Sequence, residues 1–352
     1  MKDYRETMKD LSFTLEQKEA MVEELMAAAQ PAKKQVSPRR LLAIAAAAAM
    51  LTLTVTAGAT GVLPSARDVF SSLLGGDPAQ TEIIDQIGHP IGASATADGV
   101  TITADAILGD THSYAIVYSI QREDGAPLAE DIPETNGVLS LDFSLFGTDL
   151  DVMAGSHGTS FFYDADPSDS AIQYVEMMTY DSPITGGIAS AEFRGLTLVD
   201  QETYKRTILA DGPWKFDFEF AFEDATLSLP TGQTFQVSGR SATLNAVYLS
   251  PLSIQVEVTV EGDPETYTDA VASGAVDGTA APQPSQKYVE FFPILIHFSD
   301  GTTLDMTNSG CSVTIEDGYA ICQKGELFPS ILPLDTIESI TIGDLTIPVE
   351  GP

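Results

Sequence analysis

One uncharged run, residues 41–63, dominates the hydrophobic pattern of this chain. In a helix that rises ~1.5 Å per residue, the run would span roughly 34 Å, which is enough for the ~30 Å hydrocarbon layer of a bilayer. We therefore predict a retained transmembrane helix over residues 41–63. The alternative is a cleaved signal peptide, because Ala57-Gly58-Ala59 resembles a small-residue cleavage site.

Charge on the two flanks of this run predicts its orientation. The N-terminal flank carries a basic cluster: Lys33, Lys34, Arg39 and Arg40. The other flank offers only Arg67, which Asp68 balances. Lysine and arginine stay preferentially on the cytoplasmic side of a membrane helix. We expect residues 1–40 inside the cell, and the chain beyond residue 63 outside it, in a single-pass cell-membrane protein.

The inside segment has the pattern of a short amphipathic helix. Thr14-Leu15-Glu16-Gln17 matches a capping box, and apolar residues then recur at helical spacing until Pro31. A lone helix of this length is marginal in water, so its apolar stripe predicts a bound partner. The residues that we expect to contact a cytoplasmic protein are Leu11, Phe13, Leu15, Met21, Val22, Leu25 and Met26. The alternatives are self-association, contact with the inner membrane surface, and a solvated tail without a partner.

From about residue 99 onward the pattern is that of β-strands. The clearest strand is predicted at 214–222, where aromatic residues occupy one face and charged residues the other. A row of aromatics is far more often sandwich core than a carbohydrate platform. The fold class that we predict is mainly β, with two Ig-like β-sandwich units outside, one transmembrane helix and one short cytoplasmic helix.

These patterns divide the chain into five parts. They are a cytoplasmic helical tail over 1–40, the transmembrane helix over 41–63, a connector over 64–98, a first β domain over 99–230, and a second β-sandwich domain over 231–352. The stretches 100–121 and 241–262 share an outline of strand, short polar break and second strand. This similarity suggests two related sandwich units.

The charge of the chain is −34, and it is distributed unevenly. The first 40 residues carry 8 basic and 7 acidic side chains, whereas the remainder carries 9 basic and 44 acidic ones. An outer part this acidic repels nucleic acid and anionic lipid surfaces. We therefore expect no nucleic-acid partner, and we interpret the diffuse acidity as a contribution to solubility.

Both cysteines, Cys311 and Cys322, lie in the outer part. They flank a predicted hairpin that turns at Asp317-Gly318. A two-residue loop there would place Cys322 opposite Val313, with Cys311 diagonal to it. In an oxidising compartment these residues are candidates for a disulfide, and the alternative is two half-buried thiols.

The sequence contains no constellation that we would interpret as catalytic. The histidines, His89, His112, His157 and His297, have no ligand spacing, and we expect ordinary surface or strand positions for them. Residues 164–169 hint at a calcium loop, but Asp169 replaces the required glycine and Val175 the bidentate glutamate, so we expect a solvated acidic loop. We predict no enzymatic activity, no cofactor and no metal.

Several stretches together resemble a family of single-pass membrane proteins of Gram-positive bacteria, which have an uncharacterised ectodomain and are anti-sigma-factor-like. The matching pieces are the inside helix Phe13-Thr14-Leu15-Glu16-Gln17-Lys18, the basic flank, the membrane helix, Val62-Leu63-Pro64 leading into Val69-Phe70, Asp98-Gly99-Val100-Thr101-Ile102-Thr103, Leu249-Ser250-Pro251-Leu252 and Ile337-Glu338-Ser339-Ile340-Thr341-Ile342. The resemblance implies that the inside segment binds a sigma factor and keeps it from RNA polymerase. It also implies that the outer domain senses or gates a signal, with proteolysis in the membrane as one route.

Our leading functional hypothesis is therefore a membrane signalling protein, a candidate anti-sigma factor. The competing hypothesis is a surface-anchored binding module, which holds a glycan, peptide or protein through its β domains while the tail is inert. The sequence names neither the cytoplasmic partner nor the outer ligand.

Overall fold

The computed structural model describes residues 63–150, 152, 155–237, 239–262, 292–316 and 318–350. All of them belong to one compact unit, which is mainly β-strand. The predicted tail, and the predicted span except for Leu63, lie outside the described residues. Within the described ranges, no helix is long and apolar enough to cross a bilayer.

Two short helices precede the sheets: α1 (Ala66–Leu74) and α2 (Pro78–Ile87). α1 starts with a capping box, in which Ser65 Oγ accepts from the Asp68 N–H and the Asp68 carboxylate accepts from the Ser65 N–H, both at 3.2 Å. In the sequence, Val69, Phe70, Leu73 and Leu74 favour one or two helical turns, which α1 provides. The sequence pattern does not predict α2.

The N-terminal sandwich is built from two antiparallel sheets. Its strands in chain order are β1 (Gly88–Pro90), β2 (Ser94–Ala97), β3 (Val100–Gly109), β4 (Ser113–Arg122), β5 (Glu134–Thr135), β6 (Val138–Leu139), β7 (Leu141–Leu145), β8 (Thr148–Asp149), β9 (Ser156–Tyr163), β10 (Ile172–Tyr180), β11 (Gly187–Val199), β12 (Arg206–Ala210) and β13 (Trp214–Phe220). Sheet 1 has the order β1-β3-β4-β10-β9-β6-β5, and β2 also pairs with β3. Sheet 2 has the order β12-β11-β13, and β7 and β8 also pair with β11.

Strand β13 explains how sheets 1 and 2 pack. Its burial alternates residue by residue, with the aromatic side chains of Trp214, Phe216, Phe218 and Phe220 inside. The indole N–H of Trp214 donates to the carbonyl of Val100 on sheet 1 at 2.8 Å. The predicted strand and the core interpretation of its aromatic face are therefore confirmed, although Phe222 lies beyond the strand and is half-buried.

The C-terminal sandwich repeats the two-sheet arrangement. Its strands are β14 (Leu227–Ser228), β15 (Thr234–Val237), β16 (Arg240–Leu249), β17 (Ser253–Glu261), β18 (Ile294–Phe298), β19 (Thr303–Asp305), β20 (Gly310–Glu316), β21 (Tyr319–Leu327), β22 (Ile337–Ile342) and β23 (Leu345–Pro348), with a 3-10 turn at Leu334–Thr336. Sheet 3 has the order β14-β16-β17-β21-β20, and β15 also pairs with β16. Sheet 4 has the order β19-β18-β22-β23. Apolar residues from both sheets form one buried core.

The two sandwiches share strand register at an offset of 140 residues. Ala97 pairs with Val100 between β2 and β3, just as Val237 pairs with Arg240 between β15 and β16. The register of β3 against β4 shifts at Asp105, and that of β16 against β17 shifts at Asn245. A β-bulge at the same place in both units confirms the predicted similarity of 100–121 and 241–262.

Several element bounds differ from the sequence-based expectation. The sequence pattern does not predict β9, β10 or the first half of β11. The predicted connector over 64–98 contains α1, α2, β1 and β2, of which the two strands pair with β3. The predicted boundary between residues 230 and 231 falls between β14 and β15, which both pair with β16.

Candidate functional site at the junction of the sandwiches

Two equivalent turns meet where the sandwiches join. The turn between β3 and β4 carries Asp110, which is 3% exposed. Its Oδ1 accepts from the backbone N–H of His112 at 2.9 Å and of Ser113 at 2.7 Å. Its Oδ2 accepts from the hydroxyls of Ser250 at 2.5 Å and Ser253 at 2.6 Å, both on the turn between β16 and β17. One buried carboxylate is thus bonded to the turns of both sandwiches.

Burial and hydrogen bonding act on Asp110 in opposite directions. Burial raises the pKa of this carboxyl above its ordinary value, and the four donors offset part of that rise. Hydrogen bonds to an ionised group are about twice as strong as neutral ones. The donor set therefore stabilises a charge that the interior alone would disfavour.

The opposing turn is built in the same way. Ser250 Oγ accepts from the backbone N–H of Leu252 and of Ser253, each at 2.9 Å. The Asp110 carboxylate accepts from the N–H groups two and three residues further on in the same way. Each turn is therefore closed by the side chain of its first residue, Asp110 or Ser250. Because the two first side chains also bond to each other, the duplicated turns form a matched pair at the junction.

Two histidines contribute to the same junction. His112 is buried, its Nδ1 donates to the Tyr180 carbonyl at 3.1 Å, and its ring lies 4.8 Å from that of Tyr248. His157 Nε2 donates to the Gly325 carbonyl at 2.7 Å, which links sheet 1 to β21. The expectation of an ordinary surface or strand position is wrong for His112, because the chain folds its turn against the second sandwich.

Helices α1 and α2 lie against both sandwiches. The Ile331 N–H donates to the Leu74 carbonyl at 2.8 Å, and Gln80 Nε2 donates to the Ile331 carbonyl at 3.1 Å. One buried apolar cluster joins α1, α2, the outer face of sheet 1 and the second sandwich, and it includes Phe70, Leu74, Ile84, Ile87, Val117, Val175, Leu252, Leu327 and Ile331. Movement between the sandwiches would therefore disturb the packing of α1.

A cleft of ≈490 Å³, which Leu327 also lines, opens between the sandwiches. One wall is sheet 1 at His157 and Met177, and the other is the C-terminal sandwich at Met306 and Phe328. Carboxylates of Asp305 and Glu326 also line it. This volume falls within the roughly 300–1,000 Å³ of small-molecule sites, so the cleft can hold a ligand that contacts both sandwiches.

A second buried carboxyl, Glu176, lies inside the N-terminal sandwich. Tyr114 Oη donates to its Oε1 at 2.9 Å, and Thr148 Oγ1 donates to its Oε2 at 2.8 Å. Tyr118 Oη lies 2.6 Å from Thr148 Oγ1 and extends the network. Burial raises the pKa of Glu176, and these donors offset part of the rise. We interpret the network as a structural one, since protein donors occupy both carboxylate oxygens.

The predicted partner-binding residues on the inside helix lie outside the described residues, so their role stays a prediction. The cysteine hairpin has the predicted register, with Cys322 opposite Val313 and Cys311 opposite Lys324. The two sulfur atoms lie 2.7 Å apart. This separation exceeds the ~2.05 Å of a disulfide bond. The disulfide therefore also stays a prediction.

Among the described residues, no three His, Cys, Asp or Glu side chains are arranged to bind a metal ion. The acidic loop after β9 uses its carboxylates locally. Asp164, Asp166 and Asp169 accept from backbone N–H groups two residues further on, at 3.1, 3.0 and 2.7 Å. These contacts are Asx turns, which shape a polar loop.

Sequence reasoning misses the residues that join the sandwiches. Asp110 and Ser250 stand out in the sequence only as members of two short polar breaks at matching places in the two halves, and Ser253 begins the predicted strand that follows the second break. The matching places of the two breaks were the signal that could have identified these residues. Equivalent turns in two copies of one unit can face each other, so their polar side chains can come into contact. Their pairing requires the relative placement of the two units, which no local pattern encodes.

Comparisons with known proteins leave the family open. Neither a comparison with models of protein families nor one with curated protein sequences gives a match. Among solved structures, the chain is similar to a crystal structure of the conserved domain protein from Bacillus anthracis, with 13% sequence identity and a TM-score of 0.45. The similarity covers 72% of this chain and 75% of that chain. It is too distant to carry a fold or a function from one chain to the other.

Proposed function

We propose that this chain is a single-pass membrane signalling protein of the anti-sigma-factor type. In this proposal, residues 41–63 span the membrane and residues 1–40 hold a sigma factor inside the cell. The outer residues form two Ig-like sandwiches whose junction responds to an extracytoplasmic signal. The resemblance of the sequence to anti-sigma-factor-like membrane proteins supports the choice of partner.

The observation that carries the proposal is the packing of α1. This helix begins at Ala66, three residues after the predicted span ends at Leu63. Phe70 is 0% exposed and Leu74 is 3% exposed, and the backbone of Leu74 is bonded to the second sandwich. A passive surface anchor needs only a flexible linker, whereas a buried helix couples the chain next to the span to the junction. This coupling favours signalling over simple attachment.

The cleft supports a second candidate function, a surface-anchored binding module. Its ≈490 Å³ and its mixed apolar and acidic lining suit a ligand held between the sandwiches. In that case the inside segment would be inert. Deletion of residues 2–30 discriminates the two functions, because it abolishes a transcriptional phenotype only if the inside segment signals.

The direct test is affinity capture with the full chain from native membranes, followed by identification of any sigma factor by mass spectrometry. Replacement of Val22 and Leu25 by Asp should abolish capture, because it places two charges on the apolar stripe. The matched control places the same charges on the opposite face of the helix, through Ala20→Asp and Ala27→Asp, and should leave capture intact. Equal capture by both double variants would reject the proposal, as would the absence of a sigma factor from the wild-type sample.

A further inference from the structure

A buried carboxyl lies directly beneath α1. Asp105 occupies the β-bulge of β3 and is 8% exposed. The Ser119 hydroxyl donates to its Oδ2. Asp105 also lines a pocket of ≈160 Å³, to whose wall Asp68 and Val69 of α1 contribute. The bulge thus directs a carboxyl toward the helix that follows the predicted span.

The equivalent position in the second sandwich shows what this site looks like without a helix. At the offset of 140 residues, Asn245 replaces Asp105 and Thr259 replaces Ser119. Asn245 Nδ2 donates to Thr259 Oγ1 at 2.7 Å, so the side-chain contact across the bulge is retained. Asn245 is exposed, however. The bulge by itself therefore does not bury the side chain, and residues of α1, β9 and β10 line the pocket beside Asp105.

Among the described residues, no positively charged side chain lines the pocket beside Asp105 to balance the charge of its carboxylate. The groups that face Asp105 are Asp68 on α1, Ser119 on β4, Tyr163 on β9 and Gln173 on β10. Hydrogen bonds from Ser65 lower the pKa of Asp68, which keeps that second carboxylate ionised. The Tyr163 hydroxyl is buried and has no hydrogen-bond partner among the described residues. This polar site is only partly satisfied while α1 covers it.

We propose that the pocket between α1 and the β3 bulge is a proton-binding site, in which Asp105 takes up a proton when α1 docks and releases it when α1 lifts away. This inference goes beyond the proposed function, because it concerns only the outer residues. The docking of α1 can be measured whether or not the chain binds a sigma factor.

The pH dependence of α1 docking follows from the pKa of Asp105 in the docked state and in the open state of the helix. Burial raises the pKa of Asp105 from 3.8 to about 7 in the docked state, and the Ser119 hydroxyl offsets part of the rise. When α1 lifts, water restores the ordinary value. The docked state therefore holds more protons between pH 4 and pH 7, and docking weakens as the pH rises through that window. By the same linkage, the ratio of docked to open helix should fall up to roughly 50-fold between pH 5 and pH 7, and little further above it.

Hydrogen–deuterium exchange of the full chain in detergent tests this inference. Peptides covering α1 are followed at pH 5, 6, 7 and 8, corrected for the intrinsic exchange rate, with peptides of β13 as an internal reference. The wild type should lose α1 protection by up to roughly 50-fold from pH 5 to pH 7, as the linkage predicts. Asp105→Asn should remove this pH dependence, and Asn245→Asp, the matched control at the exposed bulge, should retain it.

Two outcomes would overturn the proposal: a wild-type α1 protection that does not change with pH, or the same change in Asp105→Asn as in the wild type. Ser119→Ala keeps the proposal testable if Asp105→Asn unfolds, which loss of β13 protection would reveal. Removing the Ser119 donor should extend the loss of protection to higher pH than in the wild type. An unshifted profile in Ser119→Ala would contradict the proposal independently.

Discussion

Phe70→Ala tests whether α1 is held at the junction by packing. The Phe70 side chain is fully buried in the apolar cluster shared by α1, sheet 1 and the second sandwich. Truncation of a buried phenylalanine to alanine costs about 3–5 kcal/mol. If that cost falls on docking, the open population of α1 rises roughly 140-fold to 3,700-fold, since each 1.4 kcal/mol corresponds to a factor of ten.

Trypsin offers a local assay for this opening. Arg67 lies within α1 and is the only lysine or arginine between residues 64 and 121. Cleavage after it tracks the open population when the helix opens and closes faster than the protease cuts. Phe70→Ala should therefore speed this cleavage by two orders of magnitude or more, up to the rate of a fully open helix.

The matched control in the same helix is Ser72→Ala, which changes an exposed position. It should leave the cleavage rate after Arg67 within a few-fold of the wild type, because surface substitutions usually change stability by less than about 0.5 kcal/mol. Cleavage of Phe70→Ala at the wild-type rate would contradict the idea that packing holds α1 at the junction. Cleavage of the wild type as fast as an unfolded peptide would contradict it as well.

Three further predictions concern the junction and the cysteine hairpin. Ser253→Ala removes one donor from the buried Asp110 carboxylate and should lower the free energy of unfolding in urea by about 1.5–3 kcal/mol; a loss under about 0.5 kcal/mol would contradict this role. Because burial raises the pKa of Asp110, its contribution to stability declines as the pH rises above the unfolded value near 4, and Asp110→Asn should flatten that part of the pH–stability profile. An unchanged slope would assign the dependence to other groups. In protein purified without reductant, we expect a peptide cross-link between Cys311 and Cys322; quantitative alkylation of both thiols would show that the disulfide does not form.

The local pattern of polar and apolar residues predicts those strands that have one solvent-exposed face. β13 is found from sequence because its aromatic residues alternate with Lys215, Asp217 and Glu219, which are exposed. β10 is missed because both of its faces are buried, one in the sandwich core and the other against the helices, so alternation is absent. Its polar residues Gln173 and Glu176 also interrupt the apolar run, yet both are buried.

Other elements escape prediction because their signals are weak or non-local. The first half of β11 presents the small residues Ala189 and Ala191 to the core, which gives little hydrophobic contrast. α2 is short and starts at a proline that reads as a break, although proline suits the first turn of a helix. The pocket beside Asp105 is lined in part by α1, which lies more than thirty residues earlier in the chain. Such tertiary contacts decide the chemistry of the site, and no periodicity in the sequence contains them.

We infer above all that α1 is docked against both sandwiches. A double electron–electron resonance measurement on the full chain in lipid nanodiscs would detect this docked state. Spin-labelled noncanonical residues would replace Ser72 on α1 and Thr346 on β23, which are both exposed. At pH 5, where docking should be strongest, we predict one narrow distance distribution. A broad distribution, typical of a helix on a flexible linker, would contradict the claim.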